Sequence, residues 1–313
     1  MAIKPTATYT TTKQEFLNSV LNKIGKQEFS NLVYINPLKR IKGEFIEGPT
    51  DIEEIYVERS ADKGYDPDGA GVLDREKPVT FVQYHTNTKE HGYKATIQNK
   101  QMRKGFMTKN SLSTMANTIL NQLHTGCEVD EYQDCLDTLK ALVTNSQTLS
   151  VTEVVDGKEK KVARSMQNVI TISPVTDEAT AKVFVKEIKK TIHKMSDYST
   201  TYSDKANFAR PSDLLLFIDS DVDVEIQIEW LAGAFNLSPA QLNDTTKIVI
   251  PNMKTKVGAI GVLCHHKCLK INPCYYDIDS IKNTKGKFIN YDLVIETLLS
   301  YTTWYPHAII KDA

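Results

Sequence analysis

At 313 residues the chain has room for two packed units, or for one large core with excursions. A hydrophobic content of 41% and a charged content of 25% are those of an ordinary globular protein, and a formal net charge of -1 excludes a chain that grips nucleic acid as a whole. The longest apolar runs, Leu214 to Ile218 and Val257 to Leu263, are far too short to span a membrane, and Met1 to Thr10 has no apolar signal core, so a soluble chain made in the cytoplasm is expected.

Five cysteines, an odd number without a signal peptide, read as reduced thiols rather than a disulfide framework. There is no internal repeat and no low-complexity tract. A polar arm leads into a predicted helix over Lys13 to Ile24, where Phe16, Val20, Leu21 and Ile24 share a face and Gly25 suits the C-terminal cap.

Asn36 to Asp68 reads NPLKRIKGEFIEGPTDIEEIYVERSADKGYDPD, a basic turn, a short alternating strand and a polar loop with almost nothing to bury. Backbone ordering costs roughly 1–2 kcal/mol per residue, so such a segment orders only by lying on another surface. From Asp51 the period is two. Ile55, Val57 and Arg59 alternate with Tyr56 and Glu58, then Val79, Phe81 and Gln83 with Thr80, Val82 and Tyr84, and Tyr93, Ala95 and Ile97 repeat the pattern. GYDPDGAG at Gly64 to Gly71 is dense in turn formers, which makes a long hairpin with a wide polar tip. Alone in water it would be marginal, so it needs either its own domain or a neighbour as a partner surface, and the pattern leaves both open.

Ser111 to Val143 is the strongest helical stretch, with Leu112, Met115, Ala116, Ile119, Leu120 and Leu123 on one stripe. Gly126 shifts the register to Tyr132, Cys135, Leu136, Leu139 and Val143, which predicts a kink or break. Val151 to Ala163 is expected as a hairpin turning at Asp156-Gly157. Thr176 starts a helix whose buried face is Phe184, Ile188, Ile192 and Met195. Leu214 to Ile218 is a fully apolar strand. Val222 to Trp230 fits either a strand or a helix, and we take helix because the apolar spacing continues through Leu231 and Phe235. Ile248 to Ile250 and Val257 to Leu263 are expected as buried strands, Tyr291 to Tyr301 as a helix and Ala308 to Ile310 as a closing strand. Helices and strands mix without a βαβ rhythm, so the class is α+β.

Three constellations bear on chemistry. Cys264, His265, His266, Cys268 and Cys274 are zinc-binding residue types, but they crowd into one stretch where a strand would send neighbours to opposite faces, and buried thiols are the simpler account. Asp219, Asp221 and Asp223 follow an apolar strand as in the DxD element of metal-dependent transferases, yet they fail as a calcium loop and suit a helix start. Cys127 near His124 reads as a buried thiol beside a surface imidazole. The lysines at 182, 186, 189, 190 and 194 cover the polar face of an amphipathic helix, ordinarily a solvated face. No phosphate loop, nucleophile elbow or HExxH is present, and no catalytic residue, metal or cofactor is expected.

Several words resemble one family. NPLKRIKG at Asn36 to Gly43, DIEEIY at Asp51 to Tyr56 and the KGYD that follows, EVDEY at Glu128 to Tyr132, DLLLFIDSDVDVEI at Asp213 to Ile226, LAGAFNLSPAQL at Leu231 to Leu242 and NTKGKFINY at Asn283 to Tyr291 are similar, in this order and spacing, to the major capsid proteins of phi-29-like tailed bacteriophages. The resemblance runs from about Thr12 to the C-terminal strand and implies the HK-97-type capsid fold. It implies an N-terminal arm over 1–42, an extended hairpin loop over 43–106 lying on a neighbouring subunit, and a peripheral domain with a spine helix over 107–175. An axial domain over 176–270 and a return to the peripheral domain over 271–313 complete it.

The chain ends at Ala313, so the further C-terminal immunoglobulin-like domain of some relatives is expected to be absent, and the N-terminal arm looks short. On this resemblance the chain is expected to self-assemble into pentamers and hexamers of a virion head shell around double-stranded DNA, held without sequence-specific contacts. A scaffolding protein and a portal are the implied partners, and no membrane is. The candidate assembly-interface residues are Lys39, Arg40, Lys63, Gly64, Tyr65, Asp66, Pro67, Asp68 and Arg75. The alternatives are an encapsulin-like shell around cargo protein, and a metal-dependent transferase using Asp219, Asp221 and Asp223.

Overall fold

The structure is a computed structural model that describes residues 32–47, 51–60, 62, 64, 77–98, 109–146, 150–155, 158–163, 168–176, 178–227 and 245–313. The helix expected over Lys13 to Ile24, the turn at Asp156-Gly157 and the segment Leu231 to Leu242 lie outside these residues. After a 3-10 turn at Pro37–Ile41 come β1 (Ile52–Val57), β2 (Thr80–His85), β3 (Thr88–Gln98), α1 (Lys109–Asn145), β4 (Ser150–Val155), β5 (Lys158–Ala163) and β6 (Val169–Ile172). Then follow α2 (Glu178–Met195), β7 (Leu214–Asp219), α3 (Ser220–Gln227), β8 (Thr246–Ile250), α4 (Met253–Val257), β9 (Gly261–His265), β10 (Leu269–Asn283), β11 (Phe288–Tyr301) and β12 (His307–Asp312). The mixture is α+β.

The chain forms two compact units. The larger holds Asn36–Glu90, Asp130–Tyr275 and Ile295–Ala313. Its centre is a five-stranded sheet in the order β6-β12-β9-β7-β8, with β7 parallel to β8 and antiparallel to β9, and β12 antiparallel to β9 and parallel to β6. Leu214 to Ile218 carries no polar side chain because β7 is covered on both faces. Phe217 points into a core with Cys135, Leu136, Leu139 and Leu142 of α1. Leu214, Leu216 and Ile218 point into a second core with Phe184, Val185, Ile188, Ile192 and Met195 of α2, the face its spacing predicts.

The segment from Asn36 onward is less poor in burial than its composition implies. Asn36 Oδ1 accepts from the Leu38 N–H at 2.8 Å and Pro37 opens the turn, which drives Leu38 and Ile41 into the α1 core while Lys39 and Arg40 stay exposed. Gly43 and Ile46 then donate backbone bonds to the carbonyls of Ile271 and Pro273 on β10, at 2.8 and 2.9 Å.

The smaller unit comprises Met1–Ile35, His91–Val129 and Tyr276–Val294. Within it Leu123 and Cys127 of α1 are buried, and the Tyr93 ring of β3 leaves little room beyond a hydrogen at Gly126, where an added Cβ would sit 3.3 Å from the ring. That contact explains Gly126. Of the expected kink or break, the break does not occur: α1 is one helix of 37 residues. In the larger unit Cys135, Leu136, Leu139 and Leu142 of the same helix face the core beside the five-stranded sheet.

Two expectations fail. Tyr291 to Tyr301 belongs to the strand β11, central in a sheet ordered β10-β11-β3, with Leu293, Ile295, Thr297 and Leu299 buried at every second position. The spacing of Val294 and Leu298 also satisfies a helical period, which is why the pattern misleads. Val257 to Ala259 is likewise not strand. Val257 closes α4, and Gly258 takes the left-handed conformation (φ 85°) as its cap, donating to the Lys254 carbonyl at 3.0 Å before β9 begins. The expected hairpin over Val151 to Ala163 is present as β4 paired antiparallel with β5, and the described part of Val222 to Trp230 is helical in α3.

Candidate assembly surface

β1 and β2 form a two-stranded antiparallel ribbon in the register Ile52↔His85 to Val57↔Thr80. β3, whose alternation continues that of β2 in the sequence, joins the other sheet. The inner face of the ribbon is fastened to its own unit by polar contacts. His85 Nε2 lies 3.1 Å from Glu54 Oε2 and its Nδ1 lies 2.7 Å from Ser300 Oγ, while Lys270 Nζ donates to Glu54 Oε1 at 3.0 Å. Tyr56 donates to the Ala206 carbonyl at 2.7 Å and meets the Trp304 ring edge-on, and Lys205 Nζ sits 3.3 Å above the Phe81 ring.

Burial alone would raise the Glu54 pKa, but the His85 hydrogen bond and the charge of Lys270 outweigh it and hold the carboxyl below its ordinary value. Burial, reinforced by the Tyr198 hydroxyl at 3.2 Å, pushes the Tyr56 hydroxyl well up.

The outer face is open to solvent. Ile55 and Val82, direct partners across the ladder, are 59% and 47% exposed, and Val57 and Tyr84 beside them are 55% and 65% exposed. The inner face also carries the aromatic rings of Tyr56 and Phe81, while outside Tyr84 donates to Glu53 at 3.0 Å beside the exposed aliphatic groups. Exposed aliphatic side chains side by side on a ladder are the kind of patch found at interaction surfaces.

Of the interface residues read from the sequence, Lys39 and Arg40 are exposed on the 3-10 turn, and Gly64 is exposed with φ 76°, its N–H bonded to Asp62 Oδ1 at 2.9 Å. Lys63, Tyr65, Asp66, Pro67, Asp68 and Arg75 lie outside the described residues. Sequence reasoning missed Ile55, Val57, Val82 and Tyr84 as surface groups. Their alternation was visible, but not which parity faces the body. Glu54 and His85 settle that, because a buried carboxylate and imidazole require partners that only the inner side supplies.

The aspartate trio does not converge. Asp219 is buried, with Oδ1 accepting from the Asp221 N–H at 3.0 Å and Oδ2 from the Lys254 N–H at 2.9 Å, so it caps the starts of α3 and α4. Asp223 pairs with Lys247 at 2.7 Å and Asp221 is exposed. Two of the three carboxylates are thus taken up by caps and an ion pair, and the trio forms no metal-binding cluster.

The cysteine–histidine stretch is likewise structural. Cys264, Cys268 and Cys274 are buried, and burial, then the neighbouring Cys264, push the Cys268 thiol far up, keeping it protonated. His265 stacks between His266 and Tyr305, at 4.4 and 4.8 Å, accepts from the Lys267 N–H, and is pushed down to about 4 by burial and by His266. No grouping of three potential metal ligands occurs among the described residues. Cys127 is buried and His124 exposed, as expected. No helix among the described residues is long and apolar enough to cross a membrane.

A profile of the family described as Phi29-like phage major capsid protein matches residues 2–311. The chain is 26% identical over 290 residues to the major capsid protein of Bacillus phage PZA, covering 90% of this chain and 60% of that protein. It is 24% identical over 296 residues to the major capsid protein of Bacillus phage B103, covering 93% and 62%. The chain thus spans about three-fifths of the length of these relatives. Among solved structures, the capsid of Staphylococcus phage Andhra superposes with a TM-score of 0.71 over 93% of this chain and 88% of that one, at 11% identity, a likeness of fold.

Proposed function

The chain belongs to the phi29-like phage major capsid protein family and has the HK-97-type α+β capsid fold, and from that premise we propose that copies of it build the head shell of a tailed bacteriophage around double-stranded DNA. The observation that carries the reading is the outer face of the β1–β2 ribbon, where Ile55, Val57 and Val82 stand exposed while the inner face is fastened to its own unit. A monomeric enzyme has no use for such a strip. A subunit that meets a neighbour along every edge does, because heterologous contacts close into rings when the rotation fits, and weak contacts sum over many copies.

In this reading the ribbon belongs to the extended loop, and Ile55, Val57, Val82 and Tyr84 are the groups a neighbouring subunit covers. The long helix α1 is the spine, and the sheet carrying β7, β8 and β9 forms the axial region around capsomer axes. Pentameric and hexameric capsomers, a scaffolding protein and a portal complete the assembly in the host cytoplasm. The protein acts as a structural component rather than as an enzyme.

Electron microscopy of the purified protein, alone and with a scaffold, tests this. Hollow shells or capsomer rings are expected. A monodisperse monomer under every assembly condition would overturn it.

A further inference from the structure

The polar face of α2 is more unusual than a solvated helix face. Lys182, Lys186, Lys190 and Lys194 follow one another at four-residue steps, Lys189 sits beside them, and Glu178 at the helix start and Glu187 are the two carboxylates of α2. Each four-residue step places like charges on adjacent turns, and three consecutive steps each destabilise the helix. Only Lys194 lies in the last turn, where the helix dipole favours a cation. Glu187 bonds Lys190 at 2.6 Å and is itself half-buried. Neither helix stability nor ordinary alternation of charge accounts for the stripe, in a chain whose formal charge is -1 overall.

Its position is defined by packing. Phe184, Val185, Ile188, Ile192 and Met195 lie in the core against β7, β9 and β12, so Lys186, Lys190 and Lys194 are exposed on the side away from the sheet. Lys182 to Lys194 covers about 18 Å along the axis, within which duplex DNA presents about ten phosphates.

We propose that this lysine face of α2 binds the phosphate backbone of duplex DNA without reading its sequence, a role that rests on the shell reading. Flexible ammonium groups act as point charges, and the face carries no arginine fork for base edges and no aromatic platform for unpaired bases. A protein partner would draw its affinity from apolar anchors, and Val183 is the single large apolar side chain exposed on this helix. Phosphate needs none.

The test uses the full chain and a fluorescent 30-base-pair duplex, with anisotropy measured across a salt series. Replacing Lys186, Lys189, Lys190 and Lys194 by glutamine should lower the slope of log affinity against log salt by about 3 and weaken binding at least about tenfold at low salt, while arginine at the same positions retains both. Unchanged affinity and slope in the glutamine variant would overturn the proposal. So would a polyglutamate chain that displaces the duplex at lower charge concentration, which would make the partner an acidic protein. Electron microscopy of the same preparations separates the two readings: shells from the glutamine variant with weakened DNA binding leave the shell role intact, whereas failure of the unaltered chain to form shells speaks only against that role.

Discussion

His85 Nε2 lies 3.1 Å from Glu54 Oε2, a diagonal contact across the β1–β2 ladder that fixes which face of the ribbon meets the protein body. Lys270, 216 residues away in sequence, adds a second donor to the same carboxylate. The ribbon is therefore held at its root by a buried charge cluster, while Ile55, Val57 and Val82 on its other side stay exposed.

Removing the carboxylate should be costly, because it strands Lys270 and His85. Glu54→Ala is expected to lower stability by about 3–5 kcal/mol, read as a shifted urea midpoint with unchanged slope. Because the Glu54 pKa is lowered in the folded state, its contribution is present above its unfolded value and fades as pH falls through the folded one. Glu54→Gln should flatten that acid limb below about pH 4.3.

His307 is a second pH-sensitive group, with the opposite chemistry. Asn168 Nδ2 lies 3.1 Å from its Nε2 and the Tyr305 carbonyl 3.0 Å from its Nδ1, so the ring is held neutral, and burial pushes its pKa down to about 4. The unfolded chain takes up a proton on this histidine near pH 6.5 while the folded chain does not, so stability falls from about pH 6.5 toward 4. His265, also near 4, contributes in the same window and the same direction. Urea unfolding at pH 7 and pH 5 should show the loss, and an imidazole resonance of His307 that titrates near 6.5 in the folded protein would contradict it.

Asp219 serves two helix starts with one carboxylate. Asp219→Ala should cost about 1–2 kcal/mol per cap, and Asp219→Asn should recover part of it. Mg²⁺ or a chelator should leave the melting temperature of the unaltered protein unchanged. A metal-dependent rise would restore the trio as a binding site.

The exposed strip can be charged without disturbing the fold. Ile55→Lys with Val82→Glu, an opposite-charge pair directly across the ladder, should change subunit stability by no more than about 1 kcal/mol, since both side chains face solvent in the subunit, while shell formation measured by light scattering and microscopy is abolished. Deleting Lys63 to Asp74 should act alike, leaving a folded subunit that no longer closes shells. Intact particles from either variant would show that the ribbon serves only its own unit.

Local periodicity was enough to determine α2 and the apolar strand β7, because each has one arrangement of side chains that buries its apolar groups, and the turn formers Asp156-Gly157 were enough for the β4–β5 pairing. The words shared with capsid proteins were likewise readable without coordinates. Three features were decided only by tertiary structure. β11 carries spacing that suits both a strand and a helix, and its place between β10 and β3 selects the strand. Gly126, which looked like a helix breaker, is a point of close approach to Tyr93. Asp219 suited a helix start from the sequence, and the tertiary structure adds a second one, because Lys254 comes to it from 35 residues away. A sequence pattern states how often a residue faces one side of its element, but what that side touches depends on distant chain segments that periodicity cannot bring together.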